Sequence, residues 1–125
     1  MMWKKICDVN QLSPYQGVGG VCDDHQIALF LVPADVFLGS KDPDKPPRVF
    51  VVGNWDPIAR AYIMSRGIVG NQGEALCVAS PMYKQHFSLE TGACLEMPEQ
   101  SLKTWQVKIK NDEVWIKSDQ ISART

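Results

Sequence analysis

The chain has 125 residues, enough for one domain with a sizeable core and too few for two of ordinary size. Hydrophobic residues make up 45% and charged residues 22%, which is a globular composition and argues against a disordered chain. The formal net charge of -1 implies no broad basic face, which argues against nucleic acid or an anionic membrane as a partner.

The apolar segments and the cysteines bear on the cellular compartment. The longest apolar runs, such as IALFLV, have the length of a strand and are far shorter than a membrane span. The opening residues MMWKKICDVN lack the apolar core of a secretory signal, so a cytoplasmic protein is expected. Thiols stay reduced there, and no C-x-x-C pair occurs. We therefore expect Cys7, Cys22, Cys77 and Cys94 to be small buried thiols.

The first third of the chain predicts strands separated by polar turns. DVNQLSP is typical of a turn of helix or 3₁₀ helix. GVGGVCDDHQIALFLV contains two β-rich runs around the polar turn DDHQ, which predicts a hairpin. Residues 39–48, GSKDPDKPPR, are rich in proline and charge and are expected to form an exposed loop. The following VFVVGN predicts a short buried strand.

The segment DPIARAYIMSRG predicts one short helix. Asp56 has the side chain of an N-cap residue, and Pro57 suits the first helical position. Arg66 would lie in the last turn, and Gly67 would stop the helix.

The rest of the chain again favours strands. ALCVAS predicts a buried strand, and HFSLETGACLE alternates around ETG as a hairpin does. TWQVKIKNDEVWIKS is the clearest hairpin, with ND as its turn and lysines that suit the solvent face of an edge strand. Many short strands with frequent turns predict an all-β sandwich or barrel, formed by residues 1–125 as a single domain.

Motifs for metal binding or catalysis are weak. Cys22 and His25 have C-x2-H spacing, which is half of a metal site, but no second close pair of ligands follows. We interpret them as a buried thiol and an exposed turn histidine. No G-x-S-x-G elbow occurs, and GVGG lacks the spacing of a phosphate-binding loop. The sequence thus predicts no catalytic residue and no metal ligand, and favours a binding or accessory role.

Aromatic and methionine residues concentrate around two loops, GNWDP and ASPMYKQHF. One interpretation is that they belong to the core. The other is a contact surface, because aromatic residues and methionine are enriched at protein interfaces. The candidate partner contacts are Trp55, Arg66, Met82, Lys84 and His86.

These two loops resemble those of the Rieske fold, in which a C-P-H loop and a C-x-x-H loop hold an iron–sulfur cluster. In the first loop Asn54 and Pro57 match, but Asp56 stands at the position of the cysteine and Ile58 at that of the histidine. In the second loop Pro81 and Phe87 match. There Ser80 stands for the cysteine and Tyr83 for the histidine.

All four Rieske ligands are therefore replaced. A Rieske [2Fe–2S] centre needs two thiolates on one iron and two imidazoles on the other. Asp56, Ile58, Ser80 and Tyr83 supply neither, so we expect no cluster. We expect instead that Tyr83 and Ile58 help to fill the vacated space, that Asp56 caps the short helix and that Ser80 bonds loop backbone.

One family combines this outline with missing ligands. The chain resembles the small subunit of bacterial cytoplasmic NAD(P)H-dependent nitrite reductase over nearly its whole length. The most specific part is SRG…VASPxxKQxFxL, here Ser65 to Leu89. The resemblance implies a Rieske-like β-sandwich in which residues 53–97 form a degenerate cluster-binding subdomain.

The same resemblance implies a function. The complex reduces nitrite to ammonium in nitrate assimilation with electrons from NADH or NADPH. FAD, a [4Fe–4S] cluster and sirohaem are expected on the large subunit, which would be the partner of this chain. The chain itself would be an accessory subunit without a redox centre. Two alternatives stay open: a stand-alone Rieske-like domain that binds another redox partner, and a true [2Fe–2S] ferredoxin or dioxygenase component.

Overall fold

The computed structural model describes residues 2–35 and 39–118, and they form short antiparallel strands with two 3₁₀ helices. The strands are β1 Met2–Asp8, β2 Val18–Cys22, β3 His25–Val32, β4 Arg48–Gly53, β5 Trp55–Asp56, β6 Ala61–Tyr62, β7 Ile68–Gln72, β8 Ala75–Ala79, β9 His86–Ser88, β10 Thr104–Trp105, β11 Val107–Lys110 and β12 Glu113–Ser118. The 3₁₀ helices are Val9–Gln11 and Met64–Arg66. The predicted all-β class is confirmed.

Two larger sheets form what we call the base. One has the order β1-β12-β11, and the other has the order β10-β4-β3-β2. The inner residues of the first sheet, Val114 and Ile116, are fully buried and pack with Leu29, Val51 and Trp105 of the second. This apolar layer is the core of the base.

Strand β3 explains why IALFLV is apolar throughout instead of alternating. Ile27, Leu29 and Leu31 pack toward the core of the base. Ala28, Phe30 and Val32 point to the opposite face, where they pack on residues of the later strands β7 to β9, including Val69, Val78 and Phe87. Because successive side chains of a strand alternate between its two faces, a strand covered on both faces is apolar at every position.

Residues 53–97, which we call the loop segment, begin at the last residue of β4 and end before β10. Strands β4 and β10 are neighbours in one sheet of the base, whereas β5 to β9 form two small sheets of their own. The order of those sheets is β5-β6 and β7-β8-β9. Whether this segment is a subdomain descended from a cluster-binding unit stays a prediction.

The predicted hairpins are present. Strands β2 and β3 join through Asp23 and Asp24, and β11 and β12 join through Asn111 and Asp112. All four turn residues have positive φ, as a tight two-residue hairpin turn requires. After β9 the chain turns through Gly92 and returns, so that Cys94 bridges to Phe87. Residues 39–47 form the expected largely exposed loop, although Arg48 already belongs to β4.

The predicted helix from Asp56 to Gly67 is wrong. The Arg60 N–H donates to the Asp56 carbonyl at 2.7 Å, which closes one turn, but Arg60 then adopts a φ of 59° and the chain reverses. Strands β5 and β6 pair across this turn, and the rings of Trp55 and Tyr62 meet edge to face at 4.9 Å. Only Met64–Arg66 is helical, as a 3₁₀ turn. Cross-strand pairing has overridden the helix signals.

The predicted turn of helix in DVNQLSP is confirmed as the 3₁₀ helix Val9–Gln11. Within residues 2–35 and 39–118, no helix has the length and apolar character needed to cross a membrane.

Candidate functional site

Asp56 organises the first loop. Its carboxylate is fully buried. Oδ1 accepts hydrogen bonds from the N–H groups of Ile58 at 2.8 Å and Ala59 at 3.0 Å. Oδ2 accepts a hydrogen bond from the Ser80 hydroxyl at 2.5 Å. A buried carboxylate is tolerated because donors satisfy it, and Asp56 has donors on both oxygens.

Ser80 organises the second loop in the same way. Its backbone N–H donates to the Gln85 carbonyl at 2.9 Å, and its carbonyl accepts from the Lys84 N–H at 3.1 Å. Its hydroxyl oxygen also accepts from the Met82 N–H at 3.3 Å, which confirms the expected bond to loop backbone. Lys84 has a φ of 67°, so the loop closes tightly on itself.

The bond between Asp56 and Ser80 therefore joins the two loops directly, at the positions that the resemblance assigns to the two cysteines. A hydroxyl donating to a carboxylate is among the stronger hydrogen bonds, since the acceptor is charged. The carboxylate and hydroxyl oxygens are already engaged with each other and with loop N–H groups. The side chain of Ile58 has no donor atom. The four side chains do not fit a Rieske cluster.

Two expectations for these positions need correction. Tyr83 does not fill space between the loops, because 57% of its surface is exposed; the reversal of the chain before Lys84 turns it outward. Asp56 does not cap a helix, because its N–H partners belong to a turn. The other half of the space-filling expectation is supported, since Ile58 is half-buried and packs against the core cluster that contains Phe30 and Phe87.

The predicted partner contacts lie around these loops. Trp55, Arg66, Met82 and Lys84 are exposed, whereas His86 is half-buried. Tyr62 was missed, yet it is exposed and its ring contacts Trp55. Its place opposite Trp55 follows from the β5-β6 pairing, which the helix prediction concealed. Partner contact at these residues stays a prediction.

His86 is held in place by Glu96. Its Nδ1 lies 2.6 Å from Glu96 Oε2, and its backbone N–H donates to Oε1 at 2.8 Å. Burial raises the pKa of Glu96, but the hydrogen bonds from His86 outweigh this, and the pKa lies below the ordinary 4.5. Sequence reasoning missed Glu96, because only the return of the chain after β9 brings it to His86.

Asn54 connects the first loop to the base. Its backbone N–H donates to the Gln26 carbonyl at 2.9 Å, and its side-chain Oδ1 accepts from the Ser65 N–H at 2.7 Å. The sequence identified Asn54 only as a match to the Rieske pattern. Its role is to tie β3 to the 3₁₀ helix Met64–Arg66.

The other sequence candidates do not form a site. Cys22 and His25 are paired at the end of the β2-β3 hairpin, where Cys22 is buried and His25 is exposed, with its ring in an edge-to-face contact with that of Trp105. No disulfide joins the four cysteines, all of which lie in the described ranges. Across residues 2–35 and 39–118, no group of three or more His, Cys, Asp or Glu side chains is arranged to hold a metal ion.

Comparison with known proteins defines the class. A model of the Rieske-like [2Fe-2S] domain family matches residues 2–117. The ferredoxin of carbazole 1,9a-dioxygenase from Nocardioides aromaticivorans has the same fold, with a TM-score of 0.69 at 18% identity, and covers 95% of this chain and 100% of its own. This likeness concerns the fold alone. Fold and loop arrangement thus define a Rieske-like domain.

Closer relatives define the family within that class. The nitrite reductase (NADH) small subunit of Escherichia coli K12 is 31% identical over 92% of this chain and 96% of its own length. The structure of the nitrite reductase small subunit from Erwinia carotovora aligns with a TM-score of 0.69 at 35% identity, over 94% and 84% of the two chains. The chain belongs to the Rieske-like nitrite reductase small subunits.

A further relative is much longer. The nitrite reductase large subunit of Klebsiella oxytoca is 32% identical over 98% of this chain, but the match spans only 11% of that relative. A domain of this kind is therefore found both as a separate subunit and within a larger polypeptide.

Proposed function

We propose that this chain is the accessory small subunit of a cytoplasmic NAD(P)H-dependent nitrite reductase. It would support the six-electron reduction of nitrite to ammonium without a redox centre of its own. The observation that carries this proposal is the similarity to nitrite reductase small subunits over nearly the full length of both chains, in sequence and in fold.

The proposed partner is the large subunit, with FAD, a [4Fe–4S] cluster and sirohaem. The Klebsiella relative supports this pairing, because there a segment similar to this chain is part of a large subunit. Two domains joined in one polypeptide have a high effective concentration for each other. Separate chains lack that link, so they need a binding interface to stay together. The chain would provide that interface.

The absence of a redox centre is supported by the donor set. Asp56 and Ser80 bind each other and the adjacent loop N–H groups, and Ile58 offers no donor. Iron and acid-labile sulfide analysis of the purified chain should therefore give no stoichiometric cluster. Stoichiometric iron with the visible absorbance of a Rieske centre would contradict this part of the proposal.

The proposed docking surface is the tip formed by the two loops. It exposes Trp55, Tyr62, Met82 and Tyr83. All three residue types are enriched at interfaces, and Trp and Tyr dominate the binding energy of many of them. The Asp56–Ser80 bond holds the two loops together, so these side chains are presented from a fixed frame. A preorganised surface loses less conformational entropy on binding.

Reconstitution tests the function. The large subunit is assayed for NADH- and NADPH-dependent nitrite reduction with and without this chain. We expect activity to fall when the chain is omitted and to return when it is added. Equal activity in both cases would overturn the proposal, and co-purification with a different redox protein would favour the stand-alone interaction module.

Single substitutions test the docking surface. Trp55→Ala and Met82→Ala should each weaken binding to the large subunit by about tenfold or more, as interface anchors do. The matched control is Val21→Ala, since Val21 is 66% exposed but lies on β2 in the base. If Val21→Ala weakened binding as much as Trp55→Ala, the tip would not be the docking surface.

A further inference from the structure

A groove lies in the base, between β4 and β11. It has a volume of about 820 Å³ and is open to solvent. Its walls come from Pro46 to Val51, from Thr104 to Ile109, and from Trp3, Leu89 and Glu90. None of the proposed tip contacts lines it.

The groove follows two strand edges. Arg48 to Val51 line one wall in succession, and Val107 to Ile109 line the other. Successive side chains of a strand point to opposite faces, so a run of consecutive lining residues means that the backbone edge borders the groove. Strand β10 covers only Val51 and Val52 of β4, after which the chain leaves β4 and continues as β11. The groove is the space beside β4 that β10 leaves uncovered, between β4 and β11.

The hydrogen-bond pattern shows which backbone groups face the groove. The Lys117 N–H donates to the Gln106 carbonyl at 3.0 Å, so these two residues form a hydrogen-bonded pair of the β11-β12 ladder. Bonded pairs recur at every second position, which places Lys108 and Lys110 in the ladder. The N–H and C=O groups of Val107 and Ile109 therefore point away from β12. In the described residues, β12 is the sole strand beside β11.

The opposite wall presents the same groups. The Gly53 N–H donates to the Lys103 carbonyl at 2.8 Å, which fixes the bonded pairs between β4 and β10. By the same alternation, the backbone groups of Val49 point toward the groove, beyond the end of β10. Because β4 and β11 come within 8 Å of each other in places, an extended chain would pair there with the edge of β11 and not with both walls at once.

The side chains along the β11 edge alternate between apolar and positively charged residues. Lys108 and Lys110 are exposed on the outer face, and the Lys108 ammonium lies 4.4 Å from the centre of the Trp3 ring. In the described ion pairs, neither lysine is matched with a carboxylate. Val107 and Ile109 occupy the other face of β11, and Ile109 is 38% exposed.

We propose that the groove binds an extended segment of a partner polypeptide, which adds as a strand beside β11 and carries alternating acidic and apolar residues. The acidic residues would lie beside Lys108 and Lys110, and the apolar residues beside Val107 and Ile109. This follows because side chains of neighbouring strands that point to the same face of a sheet contact each other. A second copy of β11 does not fit, because its own lysines would meet Lys108 and Lys110. This surface is separate from the proposed tip and does not depend on nitrite reductase activity.

A peptide-binding assay tests the proposal on the full chain. The probe is a fluorescein-labelled heptapeptide of alternating glutamate and valine, blocked at both ends, and binding is followed by fluorescence polarisation. The controls are a peptide of the same composition with the glutamates and valines in separate blocks, and a peptide of alternating lysine and valine. We expect the alternating acidic peptide to bind at least about tenfold more tightly than either control, and less tightly as salt is raised.

Two sets of variants distinguish strand addition beside β11 from nonspecific electrostatic binding of the peptide. The double variant Lys108→Glu, Lys110→Glu should lose at least about tenfold in affinity for the acidic peptide and gain affinity for the lysine peptide. Ile109→Pro removes an N–H that faces the groove and not β12, so it should weaken peptide binding with little loss of thermal stability. Ile109→Val is its control and should bind normally.

Several results would overturn the proposal. They are equal binding of the alternating and block peptides, unchanged affinity in the double glutamate variant, or concentration-dependent self-association through β11. If Ile109→Pro failed to fold, the charge-reversal variant and the lysine peptide would still decide the question.

Discussion

The base and the loop segment both contain buried apolar side chains, but they differ in their buried polar groups. The base is built on paired sheets whose inner side chains are apolar, with Ile27, Val114 and Ile116 fully buried. The loop segment contains two strands of two residues each, and the base contains one, β10. The loop segment also contains four of the five buried polar or charged side chains among the described residues, namely Asn54, Asp56, Ser80 and Ser88. Ser118, in the base, is the fifth.

This difference shows how buried hydrogen bonds can fix the shape of a loop. Hydrophobic burial is non-directional and specifies which faces meet, whereas hydrogen bonds specify which atoms meet. The Asp56–Ser80 bond and the Asn54–Ser65 bond fix particular points of the loop segment. We therefore expect changes in the base to cost mainly stability, and changes in the buried polar groups to alter the tip as well.

The largest loss of stability is expected for Phe30→Ala. Phe30 is fully buried on the face of β3 that meets the loop segment. Removing a buried phenyl ring leaves a cavity and should lower the free energy of unfolding by about 3–5 kcal/mol. Urea denaturation measures the loss, with Val21→Ala as an exposed control that should change stability by less than about 0.5 kcal/mol. A loss below about 1 kcal/mol for Phe30→Ala would show that the two regions are not packed as one unit.

Asp56→Ala should come next, at about 3 kcal/mol, because it leaves the N–H groups of Ile58 and Ala59 and the Ser80 hydroxyl without their acceptor. Asp56→Asn keeps one side-chain oxygen for the loop N–H groups and should lose less. Denaturation and binding to the large subunit are measured together. If Asp56→Ala lowered stability but left binding unchanged, the buried polar groups would not determine the conformation of the tip that binds the large subunit.

The same difference explains what the sequence could predict. The hairpins of the base were predictable because strand alternation and turn residues are local signals, as in VKIKNDEVWI. The first loop was not, because a carboxylate that accepts from N–H groups two and three residues ahead can begin a helix or close a turn. The choice depends on contacts that are distant in sequence: Asp56 meets Ser80, and Trp55 meets Tyr62 across the hairpin.

Gly17→Ala tests the joint between the two regions and should cost about 1–3 kcal/mol, as overpacking does. A Cβ at Gly17 would lie 2.0 Å from the Ser65 carbonyl oxygen and 2.9 Å from Cε1 of Phe30. The loop segment must then shift relative to β3. Amide NMR shifts should change around Ser65 while the β11-β12 hairpin stays the same. Changes of equal size in that hairpin would contradict a local joint.

The smallest effect is expected from Glu96, whose side chain is largely exposed and so screened by solvent. Its pKa is lower in the folded chain than the ordinary 4.5, so the carboxylate favours folding above that pH, and this contribution is lost as pH falls through the folded pKa. Urea midpoints of the wild type should therefore fall more steeply below pH 4.5 than those of Glu96→Gln. At neutral pH the variant should be slightly less stable, because a neutral amide oxygen accepts the His86 backbone N–H less strongly than a carboxylate does. Parallel pH profiles would mean that the Glu96–His86 contact positions the second loop without adding to stability. This exposed pair would then fix the shape of a loop without stabilising the fold.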